Sequence, residues 1–328
     1  MNTPNFEEFR YKGSDDWAAI NRLVRDRKSL FAPTGDSSDI CDQKVSTFLT
    51  SPSQFRSDST VVRLTEFSDD NRRASGAVFD ALIAESTGCN VIAANLPGVD
   101  FYSKQSDQGS QELTRSQIED LRKGSFLKVG AAVMNAVYYA SSEFGVKSNY
   151  ILLGSSMGAS LIAGAANTIV SRGGSITGLT MAEPLNVVDR SVPKLARQFV
   201  IQPTVAGYSA MNPQILHDVS GSFQQDVVRT LSDFKANSEY AGAIGRNALL
   251  TDLEQIDYLE DVPVYLTRGG ASALCPEDGF NAIINKFKQV ANVEVKTFGD
   301  EKLNPHDHPY CLTVQSFIDA VDNVLSRS

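Results

Sequence analysis

From Thr60 onward, short continuous apolar runs alternate with longer stretches whose apolar residues recur at helical spacing. Residues 60–64, 90–94, 150–153, 176–181, 262–267 and 293–298 read as buried strands. Residues 71–86, 114–144, 276–290 and 309–325 read as helices. In the first of these, Ala77, Val78, Leu82 and Ile83 form the apolar stripe and Gly88 is the stop. The stretch 114–144 predicts one long helix, or two joined at Gly124, with Gly145 as the C-cap. Strands alternating with helices predict an α/β fold, with a mainly parallel central sheet covered by helices on both faces.

Two regions depart from this alternation. Residues 186–259 read as helices and turns, including 224–236 and 247–259, and are expected to form a helical cap over the sheet edge. Residues 1–57 carry the weakest pattern. There, 6–12 predict a strand, 16–24 a helix capped by Ser14 or Asp15, 33–39 a loop and 43–49 a short helix. The expected division is an N-terminal segment at 1–57 packing on the core, a core formed by 58–184 and 261–328, and a cap at 185–260.

With 328 residues, of which 42% are hydrophobic, the chain can bury a large core. A net charge of −9 and a pI of about 4.9 disfavour nucleic acid and anionic membranes as partners. No apolar run is long enough to span a bilayer, so no membrane span is expected. The N-terminal stretch MNTPNFEEFRYKGSDDW has no apolar signal-peptide core. Cys41, Cys89, Cys275 and Cys311 are scattered without a C-x-x-C pair, which leaves one or two disulfides open but fits free thiols in a reducing cytoplasm better. Neither a metal nor a cofactor is expected. His306-Asp307-His308 contains a His-x-His, but no companion ligands accompany it.

The strongest chemical signal lies in YILLGSSMGASLIAGAA, residues 150–166. An apolar strand enters Gly154-Ser155-Ser156-Met157-Gly158 and leaves as a helix. A G-x-S-x-G turn in that context holds its central serine in a strained conformation, with the hydroxyl above the sheet edge. Ser156 is therefore the candidate nucleophile, and the Met157 N–H, at the helix start, is a candidate oxyanion donor. A serine hydroxyl needs a base, and the base needs a carboxylate to orient it. The available histidines are His217, His306 and His308. The latter two lie between the last strand and the closing helix, where a base would arrive above the same sheet edge. His308, just before Pro309, is favoured over His306, while His217 falls in the expected cap.

The elbow around Ser156, Asn95-Leu96-Pro97-Gly98 after a strand, and a late histidine before the final helix together resemble the α/β-hydrolase superfamily from about Thr60 to the C-terminus. The resemblance implies an eight-strand-type sheet, a cap after the sixth strand, and hydrolysis of an ester, thioester, amide or related bond. It places the second oxyanion donor at about Phe67, although Thr65-Glu66 stands where the superfamily often has His-Gly. It also places a carboxylate after the seventh strand, near Ser272 or Ala273, and this chain has none there. Some members carry the acid after the sixth strand, where this chain has Glu183; Asp278 is the alternative. The expected activity is a cofactor-free serine hydrolase acting on a small-molecule carboxylic ester or thioester. Ser156, His308 and Glu183 would be its triad, with Met157 and Phe67 at the oxyanion. In the cap, Tyr208, Met211, Ile215, Leu216 and Phe223 offer apolar surface for an acyl chain. An amidase, peptidase or acyltransferase, or a catalytically silent binding protein, are the alternatives on the same scaffold.

Overall fold

Apolar strands flanked by helices pack into a single sheet. The computed structural model describes residues 14–35, 43–64, 66, 71, 74–99, 112–191, 193–195, 197, 234–300, 304–305 and 313–328. The strands are β1 (Lys28–Pro33), β2 (Lys44–Thr50), β3 (Thr60–Leu64), β4 (Asn90–Ala94), β5 (Asn149–Ser155), β6 (Ser175–Ala182), β7 (Pro263–Gly269), β8 (Asn292–Asp300) and β9 (Asn304–Pro305). Their order is β1-β2-β4-β3-β5-β6-β7-β8-β9. From β4 to β8 every neighbouring pair is parallel, whereas β1–β2, β2–β4 and β8–β9 are antiparallel.

The helices are α1 (Ser14–Asp26), α2 (Ala74–Thr87), α3 (Arg115–Leu121), α4 (Leu127–Phe144), α5 (Ile162–Ser171), α6 (Phe234–Ile244), α7 (Leu249–Leu253), α8 (Glu277–Phe287) and α9 (Val314–Leu325). Strand side chains alternate between faces, so successive residues enter different cores. Val62 and Leu152 pack with Val133 of α4, Ile162 of α5 and Phe280 of α8. Val61 and Ile151 pack with Ile20 of α1, Leu82 of α2 and Phe317 of α9. Burial on both faces explains why these strands read as continuous apolar runs rather than as alternation.

The N-terminal expectations need correction. Residues 43–49 were expected to be a helix but form β2, which pairs with β1 on one side and β4 on the other. Its sequence, KVSTFLT, is buried at every position but the first, so no one-faced stripe marks its period, and its β-branched residues suit a strand. β1 was not anticipated. Both strands fall within residues 1–57, so the sheet begins at Lys28 rather than near residue 58. The expected helix at 16–24 is α1, while the expected strand at 6–12 lies outside the described residues. The stretch 114–144 divides into α3 and α4 at Gly124, whose φ of +89° suits glycine. α3 opens with a capping box between Thr114 and Gln117. Of the expected helix at 247–259, α7 covers only Leu249–Leu253. The segment between β6 and β7 contributes α6 and α7. In α6, the buried Tyr240 stacks on Phe126 and donates its hydroxyl to the Pro97 carbonyl at 2.9 Å, on the connection after β4.

Two features of α4 have measurable consequences. First, α4 and α5 approach through glycines: a Cβ on Gly130 would lie 2.3 Å from the Leu161 carbonyl oxygen, and one on Gly164 2.1 Å from that of Leu127. Alanine in place of a helical glycine gains about 1 kcal/mol from backbone entropy, but overpacking costs about 1–3 kcal/mol, and here the obstacle is rigid backbone. Gly164→Ala is therefore expected to destabilise by about 1–2 kcal/mol in urea unfolding. Gly242→Ala in α6, where a Cβ meets nothing within 4 Å, is expected to stabilise by about 0.5–1 kcal/mol.

Second, Asp252 of α7 is 2% exposed and accepts the Phe126 N–H at the start of α4 at 2.9 Å. Burial raises its carboxyl pKa, against the lowering effect of the hydrogen bonds from Phe126 and Ser125. The folded state thus holds this proton more tightly than the unfolded chain. The contribution is fully present below the ordinary Asp range and is lost as pH rises through the folded value. Asp252→Asn keeps an acceptor for Phe126 without titrating. Its stability relative to the wild type, from urea unfolding at pH 4 and pH 7, is expected to be higher at pH 7 than at pH 4.

Candidate active site

The parallel strands end on one edge of the sheet, and β5 lies between β3 and β6. Ser155, its last residue, is extended at φ −125° and ψ 145°. Ser156 follows with φ +53°, and the chain tightens into a 3₁₀ segment, Ser156–Leu161, before α5. A non-glycine residue at positive φ between a strand and a helix is the strained turn expected of the motif. The turn leaves no room at Gly154, where a Cβ would lie 2.8 Å from both the Ala159 Cα and the Gly158 carbonyl oxygen. Ser156 is 3% exposed and Met157 is fully buried. The Ser156 carbonyl accepts the Leu185 N–H at 3.3 Å, which ties the elbow to the turn after β6.

That turn carries Glu183, which has a φ of +51° and is fully buried. Its backbone N–H donates to the Thr267 carbonyl of β7 at 2.8 Å. One carboxylate oxygen accepts the Gly269 N–H, and the other accepts the Ser272 hydroxyl at 2.6 Å. Ser272 Oγ also accepts the Cys275 N–H at 3.1 Å. Glu183 therefore reaches across from β6 and delivers its carboxylate to the turn after β7, where the resemblance called for an acid. Asp278, the alternative, sits exposed in the first turn of α8, where a negative charge suits the helix dipole. Burial pushes the Cys275 thiol well up, and the nearby Glu183 carboxylate adds to the effect, so this cysteine stays a protonated, inert neighbour.

On the other side of β5, Glu66 is half-buried just beyond β3 and accepts the Ser155 hydroxyl at 2.5 Å. The structure thus brings together Ser156, Met157, the Glu183 turn and Glu66. Phe67, His217, His306 and His308, together with the cap residues Tyr208, Met211, Ile215, Leu216 and Phe223, lie outside the described residues, as do Cys41 and Cys311. Sequence reading missed Ser272 and Ser155 as carboxylate partners. Ser272 was detectable in principle, as a small polar residue standing where a carboxylate was sought. Ser155 had no such marker, since its partner lies 89 positions away. Among the described residues, no group of three or more His, Cys, Asp or Glu side chains is arranged to hold a metal ion, and no helix is long and apolar enough to cross a membrane.

No protein-family model matches the chain, and no curated protein matches it. Solved structures do. A bromoperoxidase from Bacillus anthracis superposes with a TM-score of 0.54 at 13% identity, covering 91% of this chain and 100% of that one. A haloalkane dehalogenase from Bradyrhizobium elkani gives 0.51 at 12% identity, covering 92% and 100%. A bacterial heroin esterase gives 0.51 at 13% identity, covering 95% and 89%. The chain has the α/β-hydrolase fold. At these identities the likeness is one of fold.

The bonds at Glu183 yield a stability test. Ser272→Ala removes one of the donors to a fully buried carboxylate and is expected to destabilise the protein by about 1–3 kcal/mol in urea unfolding.

Proposed function

We propose that the protein is a serine hydrolase that cleaves a carboxylic ester or thioester through an acyl-enzyme. The observation that carries this reading is Ser156 at φ +53°, on a strand-to-helix turn in the middle of a parallel sheet. Esterases among the structures that share the fold lend support. In the proposed mechanism Ser156 Oγ attacks the carbonyl carbon while His308 takes its proton. The N–H groups of Met157 and Phe67 hold the oxyanion. The tetrahedral intermediate collapses, the carbon–oxygen or carbon–sulfur bond breaks, and His308 returns the proton to the leaving group. Water, activated by the same histidine, then releases the acid and regenerates Ser156.

Glu183 is assigned the orienting role. Its burial and its two donors favour a fixed carboxylate over the exposed Asp278. The same donors hold it in one geometry from which to fix the histidine tautomer. Residues 185–260 are proposed to act as a cap that lines the acyl pocket.

A fluorophosphonate probe tests the reading. Mass spectrometry is expected to find the adduct on Ser156, no adduct in Ser156→Ala, and much slower labelling in His308→Ala. Turnover of a p-nitrophenyl ester is expected to fall at least about 100-fold in Glu183→Gln and to persist in Asp278→Asn. A folded wild-type protein that never labels would sink the hydrolase assignment. Full turnover in Glu183→Gln would move the acid elsewhere.

A further inference from the structure

The strand β8 uses only one of its two backbone edges. From Asn292 to Phe298 it pairs with β7 without a register shift. On its other side β9 meets only Gly299 and Asp300. Among the described residues, no strand pairs with positions 292–298 on that side. One hydrogen bond fixes which groups face outward. The Phe298 carbonyl accepts the Gly270 N–H at 2.8 Å, so Phe298 turns its own N–H and C=O toward β7. These groups alternate between the two edges from one residue to the next. Glu294 and Lys296 therefore also bond inward, while Val293, Val295 and Thr297 present their N–H and C=O outward.

The side chains divide by face. Val293 packs against the core that contains Phe280, and Val295 is 36% exposed. On the opposite face Glu294 lies 4.0 Å from Arg327, and Lys296 lies 3.7 Å from Asp319 of α9. Both Glu294 and Lys296 are exposed. The window NVEVKTF has neither a proline nor a bulge, two of the devices that keep an edge from accepting another strand.

We propose that β8 pairs antiparallel with β8 of a second copy of this chain, about a two-fold axis through Val295, so that two sheets join into one. The charges select this partner and this register. With the axis at Val295, Glu294 of each copy stands directly opposite Lys296 of the other. Val295 faces Val295, and Val293 faces Thr297, as hydrogen-bonded pairs made by the outward groups. Glu294 and Lys296 then occupy the positions between them, where opposed side chains come closest. Moving the axis to residue 294 or 296 would set glutamate against glutamate or lysine against lysine, which is unfavourable. In the chosen register Arg327 and Glu294 of one copy continue into Lys296 and Asp319 of the other, a row of alternating sign formed twice by the symmetry. The window 292–298 is itself centred on Val295 and ends where β9 begins. A foreign peptide would have no reason to match this pattern, whereas the chain matches itself. The inference does not depend on the hydrolase reading.

Sedimentation velocity on the full chain tests it. At about 100 μM the wild type is expected to run at twice the chain mass of 35.6 kDa. Val295→Pro removes an outward N–H and spares the ladder to β7, and is expected to be monomeric. Glu294→Lys and Lys296→Glu each create like-charge pairs across the axis and are expected to weaken the dimer at least about 10-fold. An equimolar mixture of these two variants is expected to dimerise again, because both lysines of one copy then face both glutamates of the other. A monomeric wild type, a dimer that survives Val295→Pro, charge variants that dimerise as the wild type does, or a mixture that stays monomeric would each overturn the proposal. Should circular dichroism show Val295→Pro to be unfolded, the charge variants and their mixture, which alter only exposed side chains, decide the question.

Discussion

The backbone at Ser156 is the constraint on which the rest of the structure depends. A serine held at φ +53° is strained by about 1–3 kcal/mol and persists only where its surroundings over-determine it. The surroundings do so here. β5 is paired on both sides, by β3 up to Gly154 and by β6 up to Ser155, the residue before the turn. Beyond the turn, the 3₁₀ segment is buried throughout. Gly154 lets that segment fold back against the strand, and Gly130 and Gly164 let α4 press against the helix that follows. A straight strand, a reversed turn and a closely docked helix can coexist only with those small residues in place.

The same logic explains how a carboxylate reaches the turn after β7 without belonging to it. Glu183 also has a positive φ, of +51°, which turns its side chain from the end of β6 toward β7. Burying a carboxylate is unfavourable unless donors replace water, and the Gly269 N–H and the Ser272 hydroxyl do so. The glycine-rich turn after β7 is thus built to receive a charge from its neighbour. Its own small residues leave space that a longer side chain at position 272 would fill.

Much of this was legible in the sequence because the relevant signals are local. The strands β3 to β8 announce themselves as apolar runs, Gly124 and Gly145 mark helix ends, and the elbow is a contiguous motif in a diagnostic context. β2 was misread for a physical reason: a strand buried on both faces has no stripe, and seven residues are too few to separate strand from helix by period. Glu183 was singled out through the resemblance, which places an acid after the sixth strand in some members; its carboxylate partners, 86 and 89 positions away, carried no signal of their own. The hydrogen-bond network that joins Arg27, Arg63, Asn71 and Asp80 was invisible. Arg63 is a charge inside a strand read as buried, but nothing local names its partners Asn71 and Asp80, 8 and 17 positions away.

Sheet order also gives the two carboxylates a common meaning. β3 and β6 are the immediate neighbours of β5, and each sends a glutamate from its C-terminal end into the region of the elbow. Glu66 accepts the hydroxyl of Ser155, while the turn containing Glu183 binds the Ser156 carbonyl through Leu185 and anchors itself to the turn after β7 through Ser272. The buried Glu183 and the half-buried Glu66 each accept a serine hydroxyl, which holds the carboxylate in a defined position. A strained turn at the edge of a sheet has few neighbours of its own. Holding it from both flanking strands is the arrangement that keeps the Ser156 backbone in a conformation it would otherwise leave.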